Sequence, residues 1–497
     1  MVVVVAIAAY IAASFDANQY KPQIVQAVKD ATQRTLKLDG DIRLSFFPDI
    51  GATIGKAWLS ERAGDGEFAG ADDFRLALKL VPLLSKRVVI DAIEVKNLRA
   101  NLTRYKDGRT NFDDLAAGGA KSAPAANGEG PQVGIEINHV AVENAAISYT
   151  DEAGGTKYAL SKLNLRTGRI AGGVPGKIEL SFTLQSDKPK LDLETAFTTT
   201  VSFDLEKKSY ALNGFALRAK GLAAGISDLA ASAQGEIDAK PAGHEYRVSK
   251  LAVVIAGRQQ GAELNVRLDA PGLTVARDQL STGKIALDAI MSHAGGRMTA
   301  KLGISGIAGS VEAQKFELAK MEATVNVNHP GLPKNPVDAV INGSALVDFA
   351  GQNASLAFTA RFDDSSVSGK AGLAKFTPPS YTFDVNIDQL DADRYLPKPD
   401  PKHRQPEQPL DLSALQGLNA HGSLRIGSLK VSNVRATNVR VDVKAAAGRV
   451  EVSPIVANVD PDSRAGAANA ALKTRAAEIK TGAQDQVRDR LKGLIGR

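Results

Sequence analysis

The chain has no cysteine. That excludes disulfides, thiolate metal sites and cysteine nucleophiles, and it leaves the redox compartment open. Aromatic residues are scarce, 5% of 497, and Trp58 is the sole tryptophan, so any core must be built from Ala, Val, Leu and Ile. A strong charge of one sign is also lacking. There are 61 Lys and Arg against 55 Asp and Glu, a net charge of +6. With no arginine-rich block and no basic patch interleaved with aromatics, nucleic-acid binding is not expected. The six histidines (His139, His244, His293, His329, His403 and His421) are scattered without HxH, HExxH or HxxxH spacing, so no metal is expected. GxSxG and the GxxxxGK[ST] order of a phosphate-binding loop are absent. The carboxylate pairs Asp72-Asp73, Asp113-Asp114 and Asp363-Asp364 fall in expected turns, where capping and solvation account for them. No constellation suits catalysis, and the expectation is a protein without enzymatic activity or cofactor.

A long hydrophobic run is missing too. The chain opens MVVVVAIAAYIAASFD, apolar and uncharged from Val2 to Ala13. As a helix this run reaches roughly 18 Å, against a hydrocarbon core of about 30 Å. Composition leaves three readings: a signal peptide without a positive n-region, a buried core segment, or the distal half of a transmembrane helix.

What is present is periodicity. In NQYKPQIVQAVKDATQRT, Ile24, Val28 and Ala31 lie on one helical face, with Asn18 as N-cap and Pro22 in the first turn. This predicts an amphipathic helix over 18–35. The period then changes. Leu36, Leu38, Ile42, Leu44 and Phe46 share even parity, which favours one strand running through Gly40 over an Asp39-Gly40 hairpin. Alternation recurs at Ile178, Leu180, Phe182 and Leu184, at Val201, Phe203 and Leu205, at Tyr381, Phe383, Val385 and Ile387, and at Val439, Val441 and Val443. These are strands of antiparallel type with one dry and one wet face. No further helix is expected before the C-terminus, so the fold class is mainly β.

Residues 201–212, VSFDLEKKSYAL, resemble residues 345–356, ALVDFAGQNASL, with Asp204 matching Asp348 and Leu212 matching Leu356. Residues 116–132 are small and polar, and residues 396–411 are proline-rich and charged; both read as exposed loops. Near the end, Leu472, Ala476, Ile479, Ala483, Val487, Leu491 and Leu494 form an apolar helical stripe opposite basic residues. Packing on its own domain, a coiled coil with a partner and membrane-surface docking all suit that stripe.

Several hundred residues of one-sided strands need a place for their dry faces. Closed sandwiches, a closed barrel or a long sheet curled into a groove would each serve. The spacing does not divide into units of about 100 residues, and the Cys-Trp-Cys core of an immunoglobulin domain is absent. A curled sheet leaves an apolar trough, and an exposed trough takes an apolar ligand or partner. About 20 strands at about 4.8 Å each would run on the order of 95 Å, a length suited to acyl chains.

The segment FDANQYKPQIVQAVKDATQRTLKLDGDIRLSFFPDIGATIG resembles the N-terminus of the bacterial AsmA family. YTFDVNIDQLDADRYLP, and LDLSALQGLNAHGSLRIGSLKVSNVRATNVRVDVKAAAGRVEVSPIVANV after the proline-rich loop, are similar to its central-to-late region. The resemblance implies a bacterial inner-membrane protein with one N-terminal anchor, its bulk in the periplasm, and a long twisted antiparallel sheet curled into an elongated groove of the bridge-like lipid-transfer type. It implies 1–14 as the remnant of the anchor (Val2, Val3, Val4, Val5, Ile7, Tyr10 and Ile11), 15–459 as the β-groove domain and 460–497 as a basic C-terminal helix. Tyr20, Pro22, Gly40, Pro48, Gly51 and Tyr395 fall in the family motifs as structural positions. Ile178, Leu180, Phe182, Leu184, Val201, Phe203, Phe383 and Val385 are the candidate groove lining. Family roles lie in outer-membrane biogenesis: phospholipid or lipopolysaccharide homeostasis, and outer-membrane protein assembly with its targeting to the membrane. The implied partners are membrane lipids (phospholipid or lipopolysaccharide), the inner membrane and outer-membrane assembly factors. Two departures from the family are expected. The leader is shorter, as from a late start or a truncation, and a late β segment is missing after residues 456–459.

Overall fold

The computed structural model describes residues 16–46, 49–62, 64–84, 87–118, 136–293, 295–330, 335–394, 419–431, 434–446, 449–452 and 456–459. The expected anchor residues 2–11, Pro48, Tyr395, most of the two loops and the C-terminal stripe lie outside these. The protein is mainly β. It divides into two compact units, Met1–Gly261 and Ala262–Arg497.

The first unit begins with a 3₁₀ turn, Ala17–Tyr20, and the helix Lys21–Thr32. Both are shorter than the expected 18–35, and the cap differs. Asp16, not Asn18, accepts the Asn18 backbone N–H, while the Asn18 side chain accepts from the Ile42 N–H on the first strand. A residue that can cap was recruited for a longer-range bond. Pro22 sits in the first turn as expected.

Strands then run back and forth as a meander. The line 36–45 keeps its parity through a break at Gly40, and it pairs with 49–60 on both sides of that break. There is no hairpin at Asp39-Gly40. Gly40 crosses Gly55 so closely that a Cβ on it would lie 2.2 Å from the Lys56 nitrogen. The lines 67–79 and 90–104 follow antiparallel. Then comes Glu136–Asp151, which runs parallel to 90–104. From there the ladder is antiparallel through 156–171, Gly176–Asp187, Lys190–Asp204, Ser209–Ala223, Ile226–Lys240 and Glu245–Gln259.

In the second unit Ala262–Ala276, 279–293, 296–310, Lys315–Asn328, Val337–Asp348, Asn353–Phe362, Ser365–Phe376 and Pro379–Asp391 are antiparallel neighbours in that order. Ala420–Val431 then runs parallel to Pro379–Asp391 and is followed by Val434–Ala446.

The sheet is therefore not antiparallel throughout. Its two parallel pairings stand where the two polar loops were read. A parallel neighbour needs a crossover of a dozen residues or more, and the stretches 105–135 and 392–419 supply them. Two short helices, Leu80–Leu84 and Asp113–Gly118, were not expected; runs of five and six residues are too brief to show a period.

Among the described residues, the one large side chain that is almost wholly buried is Arg34. It donates to both oxygens of Asp114 (2.9 and 2.7 Å), to the Ser60 carbonyl (3.1 Å) and to the Asn111 carbonyl (2.5 Å). Its guanidinium lies 4.3 Å from the centre of the Phe68 ring. It ties the end of the first helix to the start of the first crossover. The Asp113-Asp114 pair is thus more than a solvated turn.

The resemblance between 201–212 and 345–356 proves to be one hairpin built twice. Asp204 pairs with Ser209 and Asp348 with Asn353. Each Asp accepts the backbone N–H three residues on, from Lys207 and Gly351, and the fourth loop residue, Lys208 or Gln352, has positive φ. Asp151–Thr156 and Ser310–Lys315 repeat the same construction.

Candidate functional site: an apolar face in each unit

Directly paired residues in a ladder point to the same side. In the first unit one row can be followed across eleven strand lines: Ile42, Ile54, Phe74, Val95, Val142, Leu165, Leu180, Phe197, Leu217, Ala233 and Val253. Every member is apolar. At about 4.8 Å per strand the row runs roughly 48 Å. The adjacent row, on the opposite face, reads Arg43, Thr53, Arg75, Glu94, Ala141, Arg166, Glu179 and Thr198. It carries ion pairs such as Arg75–Glu94 at 3.3 Å.

The second unit has its own row: Leu268, Leu287, Leu302, Ala323, Ile341, Ala360, Val367, Ile387, Ile426 and Val439. It ends in a small packed cluster of Ile426, Ala436 and Val439, with Ile387 and Leu390 against it.

These faces are dry in composition but, apart from Ile42 and that cluster, only partly covered. In Lys190–Asp204 the residues Leu191, Leu193, Phe197, Val201 and Phe203 are all half-buried, where the inner face of a closed sandwich would hide them. Phe74 and Leu217, within the row itself, are 36% and 37% exposed. The fully buried hydrophobic residues are mostly alanines. The Ser186 hydroxyl, on the apolar side opposite Tyr158, is buried without a partner.

Ile178, Leu180, Phe182, Leu184, Val201 and Phe203 share the apolar face of the first unit. Phe383 and Val385 lie on that of the second, paired with Ala371 and Gly369. Phe383 also covers a neighbour on that face. Its ring lies down over Gly422, where an added Cβ would come within 2.6 Å of Cγ. Tyr20 is half-exposed, and Gly51 fits closely against Ser45 and the Leu76 carbonyl.

Alternation alone missed Ile54, Phe74, Val95, Val142, Leu165, Phe197, Leu217 and Val253. The reason is a line of irregularities that shifts parity partway along most strands. Asn97, Asn144, Lys162, Gly214 and Lys250 have positive φ along this line. Asn97 donates to Asp72 (3.0 Å), Asn144 to Asn97 (2.8 Å), and Asn164 accepts from the Asn144 backbone (3.0 Å). Bulges bend a strand and raise its twist, so an aligned series bends the sheet along one line. The signal was present in sequence as asparagines inside otherwise alternating strands, since Asn tolerates the left-handed region.

Comparison with known families agrees with this geometry. The AsmA family model matches residues 1–484. The chain belongs to the AsmA family. At the level of the family this places it in outer-membrane biogenesis or lipid transport and suggests a membrane-associated periplasmic protein. No curated protein and no solved structure matches the chain significantly. Among the described residues no helix is long and apolar enough to cross a membrane.

Proposed function

We propose that this AsmA-family protein is a non-enzymatic, membrane-anchored periplasmic protein that holds or passes the acyl chains of phospholipid or lipopolysaccharide on its apolar faces. The observation that carries this reading is the row of apolar residues from Ile42 to Val253, continuous through ten pairings and only half-buried from Ile54 onward. An apolar strip of this length left open to water is costly unless a ligand or partner covers it, at about 25 cal/mol per Å². Its extent suits hydrocarbon chains better than a compact metabolite.

A photo-crosslinking amino acid placed in the full chain tests this in cell membranes. At Phe182, on the apolar face, lipid adducts are expected by mass spectrometry. At Thr183, on the wet face of the same strand, they are not. Protein adducts at Phe182 in place of lipid would instead support a scaffold acting on outer-membrane protein assembly and targeting. Equal lipid labelling at both positions would refute the acyl-chain assignment.

A further inference from the structure

We propose that acyl chains reach the apolar face of the first unit sideways, over one particular edge of its sheet; this rests on the lipid-handling reading above. The strand ends form two edges. One contains the connections 79–90, 171–176, 204–209 and 240–245, and the other contains 60–67, 151–156, 187–190 and 223–226.

The two edges differ in exposed apolar side chains. At the first, Val81 is 75% exposed, Leu205 50%, Tyr210 44% and Tyr246 41%, with Val88 beside them. At the second, Tyr105 stands alone among the described residues. Tyr210 pairs with Phe203 and with Ala239, and Ala239 pairs with Tyr246, so both tyrosines lie on the apolar side. The dry face therefore continues to this edge, and Leu205 carries it over the rim.

Turn chemistry permits an apolar residue at Leu205 but does not require one, for Val311 and Phe349 stand at the matching places in the second unit. The loop Asp151–Thr156 has the same construction, with an Asp accepting from the third N–H and a positive-φ residue in fourth place, and carries Glu152 at the matching position. At the second edge the large apolar side chains Tyr149, Tyr158, Leu191 and Leu222 are half-buried and Leu229 is buried. The open depression there, of about 1130 Å³, is lined by Lys190, Asp192, Lys220 and Asp228 together with Leu191, Leu222 and Leu229. Both rims carry ions, among them Glu206, Lys207, Lys208, Lys240 and Glu245 at the first; only at the first does a methylene chain also meet exposed hydrocarbon and ring faces.

The test uses the full chain and phosphatidylglycerol with a fluorescent acyl tail, presented in phosphatidylcholine vesicles. The rate of uptake and the amount held at equilibrium are measured separately. Leu205→Asp and Tyr246→Asp are expected to slow uptake by about tenfold, with the amount held unchanged. Leu205→Lys should act alike, because the barrier is set by ionic hydration and not by sign. Ala224→Asp, in an exposed turn of the second edge where φ is +52° and Asp is tolerated, should leave the rate unchanged. Unaltered rates in the Leu205 and Tyr246 variants, or equal slowing in Ala224→Asp, would overturn the sideways route while lipid holding stands. Loss of the amount held in the rim variants would also overturn it, by making the rim a binding element. Failure of the unaltered chain to take up any lipid would remove the lipid reading and this inference with it.

Discussion

At the scale of single residues, the most demanding position is Arg34. An arginine out of water is tolerable only when its charge is matched and its donors are occupied. Asp114 supplies the charge, and the carbonyls of Ser60 and Asn111 take further donors. Asn111 is itself buried and donates to Glu61 and to the Asn101 carbonyl. Removing the aspartate leaves the buried cation only the longer contact with Glu61, at 4.0 Å, so Asp114→Ala is expected to destabilise the first unit by about 3 kcal/mol, read from urea unfolding. Asp114 also sets a pH dependence. Its hydrogen bond to Arg34 holds its carboxyl below the usual carboxylate range. A group with a depressed folded pKa binds its proton more readily when unfolded. Its stabilisation is therefore complete above the ordinary aspartate value of about 4 and declines as the pH falls below it. Unfolding measured from pH 6 to pH 3 should show this loss, and Asp114→Asn should show less of it. Stability of the unaltered chain falling no faster than that of Asp114→Asn would rule this out.

At the scale of elements, parity and turn chemistry could be read directly, and pairing could not. The even-numbered apolar residues from Leu36 to Leu44 announce one strand line, because a side-chain period of two survives a local break. The Asp-led loops after Asp204 and Asp348 were visible as a repeat, because the same hairpin closes each. The direction of the strand after each polar loop was hidden, since composition marks a loop without saying where it returns. The Arg34 pair was hidden for a related reason: its partner lies 80 residues away. The crossing of Gly40 over Gly55 belongs here too. Three residues, 39–41, stand opposite two, 55 and 56, so the break at Gly40 is a local bulge where two strand lines come into close contact, each bonding through it. Gly40 donates to the Lys56 carbonyl at 2.8 Å and Gly55 to the Asp41 carbonyl at 3.0 Å. A methyl group on Gly40 meets backbone that cannot swing aside. Gly40→Ala is therefore expected to cost about 2 kcal/mol or more, whereas Gly66→Ala, where a Cβ would meet only the Glu61 side chain at 3.7 Å, should lie within about 0.5 kcal/mol of neutral. Comparable melting temperatures for the two variants would show that the crossing is not tight.

At the scale of the whole molecule, each unit separates a charged face from an apolar one and leaves the apolar one open. This departs from ordinary globular packing, in which a sheet's dry face is covered by a second layer. The departure makes stability and function separable in a way that a closed core does not allow. Leu217, 37% exposed in the middle of the row, is the position to use. Under a second layer, Leu→Ala costs about 2–5 kcal/mol through lost transfer energy and an unfilled cavity. On an open face the surroundings are solvent or ligand, no cavity is enclosed, and Leu217→Ala should cost about 1 kcal/mol. Leu217→Asp should then remain folded, because its carboxylate can reach water, while placing a charge in the path of any bound chain. The expected outcome is near-normal urea unfolding together with loss of lipid adducts at Phe182. A Leu217→Asp protein that fails to fold would mean that the apolar faces are covered from within the chain. The bent sheet would then be a scaffold whose hydrocarbon is already spent on its own packing.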